Sequence, residues 1–173
     1  MRRLGVIVAV GALLGMFAGA LTASPALAGR GPKWQVFSSP AFTLPAGACG
    51  FRVRVKSVAS KEFIKVLKTA DGSMTELLTG RFRHSYTNLS TGKTITENVS
   101  GPAKLINHPD GSLTVVAKGH TGLFLFPADA KRFGLPTVSV TTGGITFSVA
   151  ASGAVTSLSL KGHVLVDVCA ALS

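Results

Sequence analysis

Three features of this 173-residue chain predict an all-β, antiparallel fold. Apolar and polar residues alternate with a period of two through most of the region between Cys49 and Cys169. Turn signals rich in Gly, Pro, Asn, Asp and Ser recur about every 8 to 12 residues, the spacing of a sandwich or barrel. No long stretch after the first thirty residues carries the 3.6-residue periodicity of a helix. Sequential hairpins suit a meander, and closure would remove sheet edges, so an antiparallel barrel or meander of about nine or ten strands is expected, with a two-sheet sandwich as the alternative.

The elements follow in order. Residues 29–48 hold Trp34, Val36, Phe37 and Phe42 but also Pro32, Pro40 and Pro45, so they read as an irregular arm or edge strand pinned by its aromatics. From 49 to 58, Phe51, Val53 and Val55 fall on one face and Arg52, Arg54 and Lys56 on the other, a half-buried strand with a cationic outer side. Residues 61–69 fit a helical stripe as well as a strand; their β-rich neighbours favour a strand. From 77 to 88, Phe82, His84 and Tyr86 alternate with Arg81, Arg83 and Ser85. The turn cluster 88–92 and the Thr-rich segment 93–100 complete a hairpin. A short extended piece at 103–107 leads into His108-Pro109-Asp110-Gly111, a turn in which Pro presets φ and Gly accepts positive φ. Leu113, Val115 and Ala117 start the next strand, Gly119–Gly122 reads as a break, and Leu123-Phe124-Leu125-Phe126 as a strand buried on both faces. Residues 127–134 are expected to form one helical turn or a loop. Strands at 138–141, 145–150, 155–160 and 164–169 are separated by expected turns at Thr142-Gly143-Gly144, Ser152-Gly153 and Lys161-Gly162.

The amino terminus reads as a secretion signal over 1–28. Arg2 and Arg3 supply the positive start, residues 4–21 are almost wholly apolar, and Ala26-Leu27-Ala28 places small residues at the cleavage site. Cleavage leaves one domain, 29–173, with no membrane span and a secreted, extracellular location. A retained anchor is the alternative, since about 20 apolar residues cross a bilayer. Without Arg2 and Arg3, sixteen Lys and Arg face seven Asp and Glu, a net charge near +9. That field attracts anionic partners, and anionic cell-wall or extracellular polymers are the expected ones. It also keeps a β protein soluble and blunts its edges. An even cysteine count in an exported chain, without a C-x-x-C pair, points to one structural disulfide between Cys49 and Cys169.

Catalytic motifs are scarce. The chain has no G-x-S-x-G, H-E-x-x-H, Walker loop or Rossmann fingerprint, so no cofactor is expected. Its four histidines, at 84, 108, 120 and 163, lack metal-ligand spacing, and no metal site is expected. Asp71 and Asp110 precede Gly and read as turn formers, and Asp167 as a partner for a base. His84 shares a face with Phe82 and Tyr86, so a ligand-contacting group of His84, Tyr86, Phe82 and, from the next strand, Glu97 is one candidate site. Arg52, Arg54, Lys56, Arg81 and Arg83 form a second, a cationic patch if their strands are neighbours. Phe51 and Phe82 point away from that patch by parity, which disfavours nucleic acid. Asn88 and Asn98 open N-x-S glycosylation patterns.

Asn88-Leu-Ser-Thr-Gly-Lys-Thr94, Ser100-Gly-Pro102, Asp110-Gly-Ser112 and Phe126-Pro-Ala-Asp129, with the Ala/Gly/Val-rich leader, resemble small exported β-rich proteins of high-GC Gram-positive (actinobacterial) bacteria. The resemblance implies export and a β fold and carries over no catalytic or binding residue. The expected role is a secreted, non-enzymatic binding or envelope-associated β domain. A small β-barrel carrier or enzyme with an interior site near His84 is the alternative, and a secreted inhibitor or toxin presenting residues 127–134 is a third.

Overall fold

Period-two alternation predicts strands, and a computed structural model describing residues 31–173 contains nine of them. The leader expected over 1–28 lies outside the described residues. The strands are β1 (Gln35–Phe37), β2 (Phe42–Leu44), β3 (Val53–Lys68), β4 (Met74–Asn88), β5 (Thr94–Asn98), β6 (Ala103–Asn107), β7 (Leu113–Phe124), β8 (Val138–Val149) and β9 (Val155–Asp167). Two short helices accompany them, α1 (Pro127–Phe133) and α2 (Val168–Leu172). Every ladder is antiparallel, in the order β1-β3-β4-β6-β7-β8-β9, with β2 added to β3 and β5 to β4. The fold is all-β and antiparallel, a meander along most of its length. The sheet is not closed, so its two ends remain edges rather than the seam of a barrel.

Several expected turns are strand interiors. β7 runs through Gly119–Gly122, β8 through Thr142–Gly144, and β9 through Lys161–Gly162. Gly119, Gly143 and Gly162 are ladder partners in one row across these strands. At Gly143 φ is +100°, and a Cβ would overlap the Lys161 carbonyl oxygen. On the other side of the sheet Gly80 has φ +136° opposite Glu62, where a Cβ would overlap the Lys61 carbonyl oxygen. Glycine serves here for close backbone approach within the sheet, not for chain reversal. The extent of burial changes across this row. In β8 both faces are buried before Gly143, Val138 and Val140 on one and Ser139 and Thr141 on the other, whereas after it only Ile145 and Phe147, on the face of Ser139 and Thr141, are buried. In β3 an irregularity between Ser57 and Ala59 moves burial from Val53 and Val55 to Glu62.

The long strands therefore feed two apolar clusters. One contains Leu78, Leu105, Val115, Leu123, Ile145 and Phe147; the other contains Val53, Val55, Phe82, Tyr86, Val138 and Leu172. Leu123 and Leu125 enter the first and Phe124 the second, which accounts for the apolar run 123–126, although β7 ends at Phe124 and the last two residues lead into α1. Full burial of each such side chain is worth roughly 1.5–3 kcal/mol.

The segment 61–69 is strand, the far half of β3 paired with the start of β4. The amino-terminal arm supplies two short edge strands along β3. Residues 127–134 form a helix, entered at Pro127 and ended by Gly134 at φ +65°. Asp71 and Asp110 are turn formers: each carboxylate accepts the backbone N–H and the hydroxyl of the serine two residues on. Asp167, expected to pair with a base, instead accepts from the Ala170 N–H at 3.0 Å and caps α2. The strand expected over 164–169 thus ends at Asp167, and Cys169 stands in α2. Cys49 and Cys169 are at disulfide distance, with Cα atoms 5.1 Å apart and 120 residues between them. Thr137 donates its hydroxyl to the Ala48 carbonyl at 2.6 Å beside this link. No helix among the described residues is long and apolar enough to cross a membrane.

Two stability measurements check this account. Gly143→Ala should lower the urea-unfolding free energy by about 3 kcal/mol, against about 1 kcal/mol for Gly92→Ala, where φ is also positive but space is open. Equal losses would mean that close approach is not what glycine provides at Gly143. The Cys49→Ser/Cys169→Ser variant should lose about 2–5 kcal/mol, the range for removing a native disulfide.

Candidate functional site

Alternation along β4 turns Phe82, His84 and Tyr86 to the same side, and that side is the packed interior. His84 is 1 % exposed and Tyr86 0 %. The Phe82 and His84 rings meet edge to face at 4.6 Å, and those of His84 and Tyr86 at 5.8 Å. The Tyr86 hydroxyl lies 3.4 Å from His84 Nδ1, a long contact. A Cβ on Gly122 would come within 3.1 Å of that hydroxyl, so glycine makes room for it. Glu97 on β5 is the direct ladder partner of His84. Burial pushes the His84 imidazole down to about 4, leaving it neutral at physiological pH. Burial first, then the Glu97 charge, raise the Tyr86 phenol. Two neutral, enclosed rings are suited to hydrogen bonding and packing, and neither is poised as a charged nucleophile.

A second buried ionisable group escaped sequence reasoning. Glu62 is 5 % exposed, pairs with Gly80 and Phe37 in the ladders, and has one carboxylate oxygen without a hydrogen-bond partner. Burial pushes its carboxyl up to about 7. Its signal is hidden, because the irregularity after Ser57 reverses the parity that simple alternation would assign. Among the described residues, no three His, Cys, Asp or Glu side chains gather as metal ligands would.

The opposite side of the same strands carries charge. Arg54 pairs with Thr87, Lys56 with Ser85, Ala59 with Arg83 and Lys61 with Arg81. Thus β3 and β4 bring Arg54, Lys56, Arg81 and Arg83 onto adjacent strands and add Lys61, and Arg52 stands just before β3, its carbonyl accepting from the Leu89 N–H. β5 extends this face with Thr94, Thr96 and Asn98, the ladder partners of Thr87, Ser85 and Arg83. No carboxylate occupies any of these ladder positions. The Arg83 Nε is buried without a partner. Asn88 is not displayed for modification: it is 2 % exposed and its side chain binds the Leu172 carbonyl and the Ser90 N–H.

Farther along the sheet lies a groove of about 450 Å³, lined by Trp34, Leu77, Pro102, Lys104, Val116 and Lys118 among others. Sequence reasoning assigned Trp34 only to anchoring the arm. The other lining residues come from β4, β6 and β7 and from Pro102 just before β6, elements whose adjacency no local pattern reveals.

The two buried groups bias stability in opposite directions with pH. Between about 4 and 6.5 the unfolded chain holds a proton on His84 that the folded one does not, so stability contributed there is lost as pH falls. Between 4.5 and about 7 the folded chain holds a proton on Glu62 that the unfolded one releases, so stability is lost as pH rises. Glu62→Gln should therefore gain about 2 kcal/mol relative to the parent at pH 8 and nothing at pH 4, with unfolding free energy read against urea. A gain that does not change with pH would show that Glu62 binds its proton equally in the folded and unfolded chains, with no upward shift on burial.

Compared with known proteins, the chain matches no family model, no curated protein and no solved structure.

Proposed function

We propose that this chain is a secreted, non-enzymatic binding domain that holds to anionic polymers of a cell envelope through Arg52, Arg54, Lys56, Arg81 and Arg83. One observation supports the reading: Arg54, Lys56, Arg81 and Arg83 stand on one face of two neighbouring strands whose ladder positions contain no acid, with Arg52 at the start of β3. The net charge near +9 that remains without Arg2 and Arg3 adds long-range attraction of the same sign. The Thr- and Asn-bearing continuation on β5 offers neutral hydrogen-bonding groups beside the charges. Phe82 lies in the core and Phe51 packs against it, so this face has no stacking platform from those rings, and a polymer recognised by charge suits it better than unpaired bases. Burial of Phe82, His84 and Tyr86 leaves Glu97 as the partly exposed member of the candidate group near His84.

Exposed charge pairing weakens as the screening length falls, from roughly 10 Å at 0.1 M salt to 3 Å at 1 M. The mature protein should bind a polyphosphate or acidic-polysaccharide resin at low salt and elute as salt rises. Arg52→Ser/Arg54→Ser/Lys56→Ser should elute at about half the salt concentration with an unchanged Tm. A control with the same charge loss elsewhere, Lys33→Ser/Lys68→Ser/Lys131→Ser, should elute close to the parent. Equal elution of the two triple variants would defeat the patch and leave only net charge.

A further inference from the structure

The groove beside Trp34 has a chemistry different from the arginine patch. On the outer face Leu77 pairs with Lys104, and Lys104 with Val116; the Lys118 N–H bonds the Pro102 carbonyl at 3.0 Å. These contacts place Lys104 and Lys118 diagonally on adjacent strands. Such positions are roughly 7–8 Å apart, so two long side chains can reach one anionic head. Between and beside them Leu77, Pro102 and Val116 form an apolar floor, and Trp34 stands over it from the strand-β1 side. Trp34 is 48 % exposed and Val116 36 %, so this is apolar surface left in water. No Asp or Glu lines the groove. Its volume of about 450 Å³ falls within the roughly 300–1,000 Å³ of small-ligand sites.

We propose that this groove binds a single-chain amphiphile with an anionic head, of the fatty-acid class. The acyl chain lies on Leu77, Pro102 and Val116 beneath the Trp34 indole, and the carboxylate sits between Lys104 and Lys118. Charge complementarity selects the occupant: an apolar floor alone would accept any hydrocarbon, whereas two cations without a nearby acid favour an anionic head. The site shares no residue with the arginine patch, and the two stand or fall separately.

The chain contains one tryptophan, so Trp34 emission reports this groove directly. Monomeric laurate, added to the mature protein below its micelle concentration, should change that emission saturably. Dodecyltrimethylammonium, with the same chain and the opposite charge, should bind at least tenfold more weakly. Lys104→Ser/Lys118→Ser should lose at least tenfold in laurate affinity and should still bind the anionic resin. Val116→Glu, an outward-facing change on the floor, should abolish the response, while Arg52→Ser/Arg54→Ser/Lys56→Ser should leave it intact. The proposal is overturned by the absence of a saturable laurate response, by equal affinity for the two amphiphiles, or by undiminished affinity in the double-lysine variant. It is also overturned if phosphatidylglycerol vesicles shift the emission and monomeric laurate does not, an outcome that would make this face a membrane-docking surface.

Discussion

Strands of twelve to sixteen residues can supply two separate cores only where side chains are missing at the closest backbone approaches. Gly119, Gly143 and Gly162 lie in one row across β7, β8 and β9, and Gly80 does the corresponding work between β3 and β4. Any Cβ at Gly143 or Gly80 would occupy the space of a neighbouring carbonyl oxygen. The carbonyls there belong to strand ladders and cannot withdraw without breaking hydrogen bonds. Before this row both faces of β8 are buried, so that stretch reaches both apolar clusters, and after it only the face of Ile145 and Phe147 is buried. In β3 the irregularity between Ser57 and Ala59 sets which side chains face inward beyond it, Glu62 among them.

The chain ends are joined to this sheet by several small contacts acting together. Asp167 caps α2, Leu172 is fully buried, Asn88 binds the Leu172 carbonyl, and Cys169 lies against Cys49. A five-residue helix is far too short to be stable alone, so tertiary contacts must hold it. Closing a long loop removes unfolded-state entropy, on the order of 4.7 kcal/mol for about 100 residues in the loop-entropy description. The covalent link and the cap thus fix the last strand's end against the start of the first long one.

Ionisable groups divide by face. His84 and Glu62 are inside, each held towards its neutral form by loss of water, whereas Arg52, Arg54, Lys56, Arg81 and the groove lysines are outside. Inside, these groups are enclosed among packed side chains, and the charged groups stand on the outer surface. That surface has two chemically distinct regions on one sheet: a cationic one bordered by Thr and Asn, and an apolar one with two lysines.

Much of this was legible without coordinates. Alternation in 51–56 and 82–86 identified inner Val53, Val55, Phe82 and Tyr86 and outer Arg54 and Lys56, because a strand's side-chain period is two whatever its neighbours do. Asp71-Gly72 and Asp110-Gly111 were recognisable turns because a short carboxylate bonds the backbone two residues on. Glycines inside the strands were misleading, since local sequence cannot distinguish a reversal from a close approach; only the strand opposite decides. The same limit concealed Glu62, whose inward position follows from the irregularity in β3, and the groove, whose walls come from β1's flank, β4, β6 and β7. By itself the sequence determined the all-β class, the faces of its regular strands and the excess of positive charge, all consequences of local periodicity and composition. The tertiary structure alone decided that the sheet stays open, where facing reverses and which distant residues share a surface, because each of these depends on long-range pairing between strands.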